Sequence, residues 1–170
     1  MRKISFRNDV LPLKNVLYRM ALRITMDAAE AEDIVQDTLV KVWNRRDSWD
    51  RIDSIEAFSL TICRNLALDR IKRADRRNTS LDRPDMDAED SSSNPLEQTS
   101  MNDRIAMIKD LVDRLPEKQK SCMQLRDFEG KSYKDIAGIL DISESQVKVN
   151  LFRARQAVKE KMLETDNYGL

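Results

Sequence analysis

The sequence predicts an all-α protein of two small helical domains joined by a flexible acidic linker. Three observations carry this. Gly (3), Pro (4) and aromatic residues (5%) are scarce in 170 residues, while Leu, Ile, Met, Ala and charged residues abound, a composition that favours helix. Apolar residues recur every three or four positions on both sides of the middle of the chain. The middle itself breaks that periodicity. Residues 80–103 hold seven acidic side chains (Asp82, Asp85, Asp87, Glu89, Asp90, Glu97, Asp103) and one basic one, Arg83, together with Pro84, Pro95 and a Ser91-Ser92-Ser93-Asn94 run. Like charge with little apolar surface does not offset ordering entropy, so the segment reads as a tether.

Charge supports the same division. The chain balances 30 basic against 30 acidic side chains, but residues 1–79 are net +4, residues 80–103 net −6 and residues 104–170 net +2. Two mildly basic domains therefore flank an acidic tether. With 41% apolar residues, both can bury cores. The absence of His excludes His-based triads, His general bases and His-ligated zinc. Cys63 and Cys122 form no CxxC pair, so no metal knuckle or redox motif is available, and no metal or other cofactor is expected. Unclustered cysteines, no apolar run of membrane-spanning length and a start without an export signal suit a reducing cytoplasm and exclude membrane insertion.

In the N-terminal domain, Val10, Leu13, Val16, Leu17, Met20, Ala21 and Ile24 mark one helix face, with Asn8 or Asp9 as cap and Pro12 early, where a missing N–H costs little. A second helix begins at Asp27, with Glu30 three residues on as a capping partner. Its inner stripe is Ala31, Ile34, Val35, Leu39 and Val42. Its outer stripe is Asp33, Gln36, Asp37, Val40, Lys41 and Asn44. A third helix starts near Asp53-Ser54-Ile55-Glu56 and buries Ile55, Phe58, Leu60, Ile62, Cys63, Leu66, Ala67 and Ile71. From Arg70 to Arg77 five of eight residues are basic. That end suits either a solvated helix terminus complementing the dipole or a phosphate-contacting surface. Trp43 and Trp49, flanking the 44–53 loop, suit core anchors or a platform for an unpaired base; spacing leaves both pairs of readings open.

In the C-terminal domain, Met101, Ile105, Ile108, Val112 and Leu115 form a stripe that Pro116 ends, and Pro116 can open the next helix. That helix runs through Met123, Leu125 and Phe128 to a stop at Gly130. Ser132 with Asp135 and Ser143 with Gln146 are two further capping pairs. They bracket a short helix, a tight turn at Asp141-Ile142, and a last helix with Val147, Leu151, Ala154, Val158 and Met162 inward. Small Ala137, with Ile142 and Val147 filling the angle, fits a helix-turn-helix. Its second helix then offers Lys and Arg to phosphates, and Gln or Asn to base edges, in a major groove. An ordinary αα-hairpin with a solvated basic face is the alternative.

The motifs then match a known family. Ala31-Glu32-Asp33-Ile34-Val35-Gln36-Asp37-Thr38-Leu39-Val40-Lys41-Val42-Trp43 resembles the core-binding helix of region two in RNA polymerase sigma factors of the extracytoplasmic-function (ECF) group. Arg64-Asn65-Leu66-Ala67-Leu68-Asp69-Arg70-Ile71-Lys72-Arg73 resembles that group's promoter-melting helix. Leu115 to Gln119, Gly130 to Ala137 and Val147 to Arg155 resemble region four. The similarity covers nearly the whole chain, in order. Two positions depart from the family's pattern: Val149, where members often carry a small polar residue, and the turn Asp141-Ile142-Ser143, which lacks Gly.

The resemblance implies residues 1–79 as a region 2-like bundle, 80–103 as linker and 104–170 as a region 4-like helix-turn-helix. It implies that core RNA polymerase, through its β′ and β subunits, docks on Asp33, Gln36, Asp37, Val40, Trp43 and Asn44. It implies that Asn65 contacts a flipped base of the melted −10 element while Arg64, Lys72, Arg73 and Arg76 hold phosphates, and that Ser145, Gln146, Lys148, Asn150, Arg153 and Arg155 read the −35 duplex. An anti-sigma factor is the implied regulator, and catalysis belongs to the polymerase. A helix-turn-helix regulator that binds promoters without replacing a sigma factor is the second reading. A helical adaptor is a third.

Overall fold

Capping chemistry sets where each helix begins. A computed structural model describes residues 3–80 and 100–167. The chain enters at Ser5, whose hydroxyl accepts the Asn8 N–H at 3.2 Å while the Asp9 carboxylate accepts the Ser5 N–H at 2.7 Å. This reciprocal box starts a wide helical turn, Phe6–Val10, and a tight one, Leu11–Leu13, ahead of helix α1, Lys14–Thr25. The expected cap at Asn8 or Asp9 thus lies at Ser5, because both residues serve a box that begins three residues earlier. Helix α2, Ala28–Asn44, starts as expected: the Asp27 carboxylate accepts the Glu30 N–H at 3.1 Å. Helix α3, Ile55–Ser80, is capped by Ser54, whose hydroxyl accepts the Ala57 N–H at 3.1 Å.

These three helices bury Leu17, Met20, Ala21 and Ile24 against Ala31, Ile34 and Val35 and against Leu60, Cys63 and Ala67. Trp49 lies in the short helical turn Arg46–Arg51 and is a core anchor. It packs with Val10 and Val42, and its indole N–H donates to the Val42 carbonyl at 3.1 Å. A buried indole needs such a partner, so this bond fixes the 44–53 loop against α2.

In the second half, helix α4, Ser100–Asp113, meets α5, Glu117–Met123, at Pro116, which caps α5 as the sequence predicts. A wider turn, Gln124–Phe128, extends α5 to Gly130 at φ +70°. Helices α6, Tyr133–Leu140, and α7, Glu144–Asn167, form the helix-turn-helix. Ser132 caps α6, accepting the Asp135 N–H at 3.0 Å. Asp141 takes the left-handed conformation, φ 58°, ψ 49°, in the turn. Of the stripe expected on α4, Val112 is fully buried and Ile105 stays exposed. The acidic segment from 81 to 99 lies outside the described residues; 100–103, placed in the linker by sequence, belong to α4.

The halves do not stand apart. Cys122, Leu125, Ile136, Ile139 and Leu140 belong to the same buried cluster as Leu17, Cys63 and Ala67. A module as small as 104–170 buries too little apolar surface by itself to use all of that stripe, and α1 and α3 cover it. Ion pairs ring the seam: Arg19 with Glu129 at 2.6 Å, Arg23 with Asp113 at 2.9 Å, Lys131 with Glu56 at 2.7 Å and Arg64 with Glu117 at 2.8 Å. The sequence announces each module but not this seam, whose contacts lie some 50 to 110 residues apart along the chain.

Candidate nucleic-acid and polymerase-docking surfaces

Helix α2 divides its residues cleanly. Ala31, Ile34, Val35, Thr38 and Val42 face the core, and the Thr38 hydroxyl is satisfied by the Ile34 carbonyl at 2.7 Å. The outer face carries Asp33, Gln36, Asp37, Val40, Trp43 and Asn44, so the structure brings the whole expected docking set onto one side. Val40 is 57% exposed. Trp43 is half-exposed, with Phe6 edge-on at 5.4 Å and the Arg46 guanidinium 4.3 Å above its ring. Phe6, Leu39, Val40 and Trp43 line a shallow apolar hollow of about 430 Å³. Phe6 is a member the sequence reading missed, because it lies ahead of the first periodic stripe.

The carboxylates of this surface are not independent. Arg70 of α3 reaches across to bind Asp33 at 2.7 Å, Asp37 at 2.8 Å and Glu30 at 3.3 Å. One guanidinium offsets the mutual repulsion of three carboxylates and fixes their spacing on α2. Sequence spacing put Arg70 in the basic end of α3. The structure separates it from that end and gives it to the acidic surface.

Asn65 lines a hollow of about 610 Å³ between α2 and α3, with Phe58, Ile62, Leu66 and Asp69 from its own helix and Lys41, Asn44 and Arg45 from across. It combines apolar walls, a side-chain amide and cations beside the 44–53 loop, which suits an unstacked base and its phosphate. Asn44, placed by sequence on the docking face, borders both surfaces. Lys72, Arg73 and Arg76 continue along the exposed side of α3, and Arg73 pairs with Asp69 at 2.9 Å.

Arg64 is set apart from these. It is 7% exposed, and its Nε and Nη2 bind both oxygens of Glu117 at 3.0 and 2.8 Å. Glu117 also accepts the Ser121 hydroxyl at 2.8 Å. Cys122 lies in the same seam, where burial, with Glu117 adding, pushes its thiol up to about 11. Cys63 lies in the α1–α2–α3 core, its thiol donating to the Leu17 carbonyl at 3.3 Å, and burial pushes it up to about 12. Neither thiol is poised as a nucleophile.

In the helix-turn-helix, Val147, Leu151 and Ala154 are buried and the expected reading residues lie outside. Several are held. Gln146 and Ser143 cap α7 reciprocally: the Ser143 hydroxyl accepts the Gln146 N–H at 3.1 Å, and the Gln146 side-chain carbonyl accepts the Ser143 N–H at 2.9 Å. Asn150 donates its amide to the Gln146 backbone carbonyl at 2.8 Å. Arg155 binds Asp127 through Nε at 3.0 Å, and Lys148 sits 5.5 Å from the Tyr133 ring centre. Ser145 and Arg153 are exposed.

A helix-turn-helix joined to a three-helix bundle, with a basic recognition helix and an open hollow at Asn65, defines a two-module helical DNA-binding protein. Comparison with known proteins gives the family. Residues 10–77 match the model for Sigma-70 region 2, and residues 105–158 match that for Sigma-70, region 4. The chain is 34% identical over 145 residues to the ECF RNA polymerase sigma factor SigL of Mycobacterium tuberculosis, covering 85% of this chain and 81% of that one. It is 27% identical over 168 residues to the RNA polymerase sigma-H factor of Pseudomonas aeruginosa, covering 94% and 87%. In structure it is similar to the sigma factor RpoE crystallised with the anti-sigma factor NepR from Bartonella quintana, with a TM-score of 0.76, 26% identity, and 91% and 94% of the chains covered. The chain belongs to the ECF group of the sigma-70 family. The resemblance read from the motifs, and the two-module all-α fold it implied, are borne out. Its activity is promoter recognition in transcription initiation. Among the described residues, no helix is long and apolar enough to cross a membrane.

Proposed function

We propose that the outer face of α2 docks on core RNA polymerase through Asp33, Gln36, Asp37, Val40, Trp43 and Asn44, with Phe6 completing the apolar part. Asn65, in its hollow, takes a flipped base of the −10 element, and Lys72, Arg73, Arg76 and, once released, Arg64 hold phosphates. Ser145, Gln146, Lys148, Asn150, Arg153 and Arg155 address the −35 duplex. The protein supplies specificity and strand melting in the cytoplasm, and the polymerase performs the chemistry. The observation that carries this reading is the adjacency of the Asn65 hollow, roomy enough for an unstacked base, to the acidic, apolar-tipped face of α2. A free-standing helix-turn-helix regulator has no need of either.

The seam adds a condition. Promoter elements named −35 and −10 are about 25 base pairs, roughly 85 Å, apart along a duplex. A folded chain of this length has a radius of gyration of about 16 Å, and so a diameter of about 40 Å. The closed form cannot reach both elements, so the modules separate on the polymerase. An anti-sigma factor would act against that separation; the similar sigma factor RpoE is bound by one.

The test is transcription in vitro with core polymerase and the full chain on a genomic template pool. Expected are defined start sites that require both proteins, and that are lost with Asn65→Ala while the melting temperature is kept. Duplex-specific binding without polymerase, with no start sites in its presence, refutes the reading.

A further inference from the structure

The buried stripe of the recognition helix, Val147, Leu151 and Ala154, fixes which side of α7 faces outward. At about 100° per residue, Ser145 and Val149 point directly away from it, with Phe152 and Arg153 beside them. Val149 is 45% exposed and Phe152 67% exposed. The polar candidates stand to the side and are engaged: the Gln146 carbonyl by the cap, the Asn150 amide by its own helix. A bidentate contact to adenine needs both halves of such an amide. Each amide therefore enters the groove with one half already committed to its own helix or cap. The centre of the groove-facing surface carries Val149 beside the Ser145 hydroxyl and Phe152, flanked by Lys148 and Arg153.

We propose that Val149 is a specificity-determining residue that selects a thymine in the −35 duplex by packing on its C5-methyl group. This rests on the sigma-factor reading above. The thymine methyl is the one apolar mark in the major groove, and apolar side chains read it by contact. Valine suits the task. In a helix its χ1 is nearly fixed, so both methyls are already aimed and little rotamer freedom is lost on binding. A solvated helix face has no such use for it, since β-branched residues are mediocre helix formers and an exposed valine gains nothing from burial.

The test uses holoenzyme reconstituted from the full chain and core RNA polymerase. Initiating promoters are selected from a pool randomised at −35. Each −35 thymine is then replaced by deoxyuridine, which lacks only the methyl. Expected is one position where deoxyuridine lowers initiation about fourfold, the factor carried by one buried methyl. Val149→Ala abolishes that sensitivity at that position alone, and Val149→Ile, which keeps the apolar contact, retains it. The proposal is overturned if no thymine is sensitive, if Val149→Ala keeps the wild-type response, or if Val149→Ala loses initiation on every template. Absence of initiation by the wild-type holoenzyme overturns the sigma-factor reading itself, so the two failures are distinct.

Discussion

Glu117→Ala tests the seam between the modules. The substitution leaves the Arg64 guanidinium, 7% exposed, without the carboxylate that now binds both its Nε and Nη2. Truncating one partner of a fully buried pair costs about 3–5 kcal/mol. The Glu117 side chain is 30% exposed, so water already screens part of the interaction, and about 1–2 kcal/mol is the better expectation. That favours the open form by about 5- to 30-fold. Thiol labelling reads it directly, because only the exposed thiolate reacts and the rate follows the open population. Cys122 lies in the seam, whereas Cys63 is sealed inside the first module with its thiol on the Leu17 carbonyl. On opening, Cys122 returns from about 11 towards an ordinary thiol value near 8.5, which adds to its reactivity at pH 8. The expected result is Cys122 labelling faster by about 5- to 30-fold and Cys63 unchanged. Unchanged Cys122 labelling refutes the latch. Equal acceleration at both thiols means unfolding, not opening, and refutes it too.

Other expectations follow from single contacts. Arg70→Met leaves Glu30, Asp33 and Asp37 facing one another across α2; with those carboxylates about half exposed, the loss is about 1–2 kcal/mol in urea unfolding, and it shrinks in high salt. A loss that salt does not change contradicts the electrostatic account. Asp37→Lys is expected to abolish co-purification with core polymerase while circular dichroism and melting stay near wild type; normal co-purification removes Asp37 from the docking face. Gln146→Ala opens the α7 capping box and is expected to cost about 1 kcal/mol of stability, and an unchanged melting temperature contradicts the reciprocal cap.

Local features were legible because their causes are local. Asp27 with Glu30, Ser132 with Asp135 and Ser143 with Gln146 each cap the helix that their spacing predicts. Gly130 and Asp141 take the positive φ that their positions in the pattern demand. The inner stripe of α2 also fell where periodicity placed it. What was not legible depends on distant partners. Ser5 became a cap only because Asp9 turns back to it. Met26 takes φ 56° between α1 and α2, where no glycine marks the turn. Arg64 and Arg70 both lie on α3, yet one enters the seam and the other crosses to α2. Helical spacing says which side of α3 each occupies, but not that an acidic neighbour awaits it there.

The seam also suggests how a closed protein opens without a prohibitive barrier. In the proposed function Arg64 has one guanidinium and two competing claims on it: the Glu117 carboxylate in the closed form and a promoter phosphate in the open one. Both are planar or tetrahedral oxyanions that accept parallel N–H donors. Exchanging one for the other costs far less than stripping the guanidinium of any partner, so the desolvation that the closed form imposes on Arg64 is largely returned when DNA arrives. The released Glu117 moves to water, where a carboxylate needs no partner. The seam's other pairs follow the same rule on the module surfaces: Arg19, Arg23 and Lys131 regain hydration while Glu129, Asp113 and Glu56 do likewise. The cost that remains is apolar, the exposure of Cys122, Leu125, Ile136, Ile139 and Leu140 from one side and of Leu17 and Ala67 from the other. That cost is proportional to area and is not screened as charge pairs are, so in the proposed function polymerase docking on α2 has to supply the free energy that keeps the modules apart.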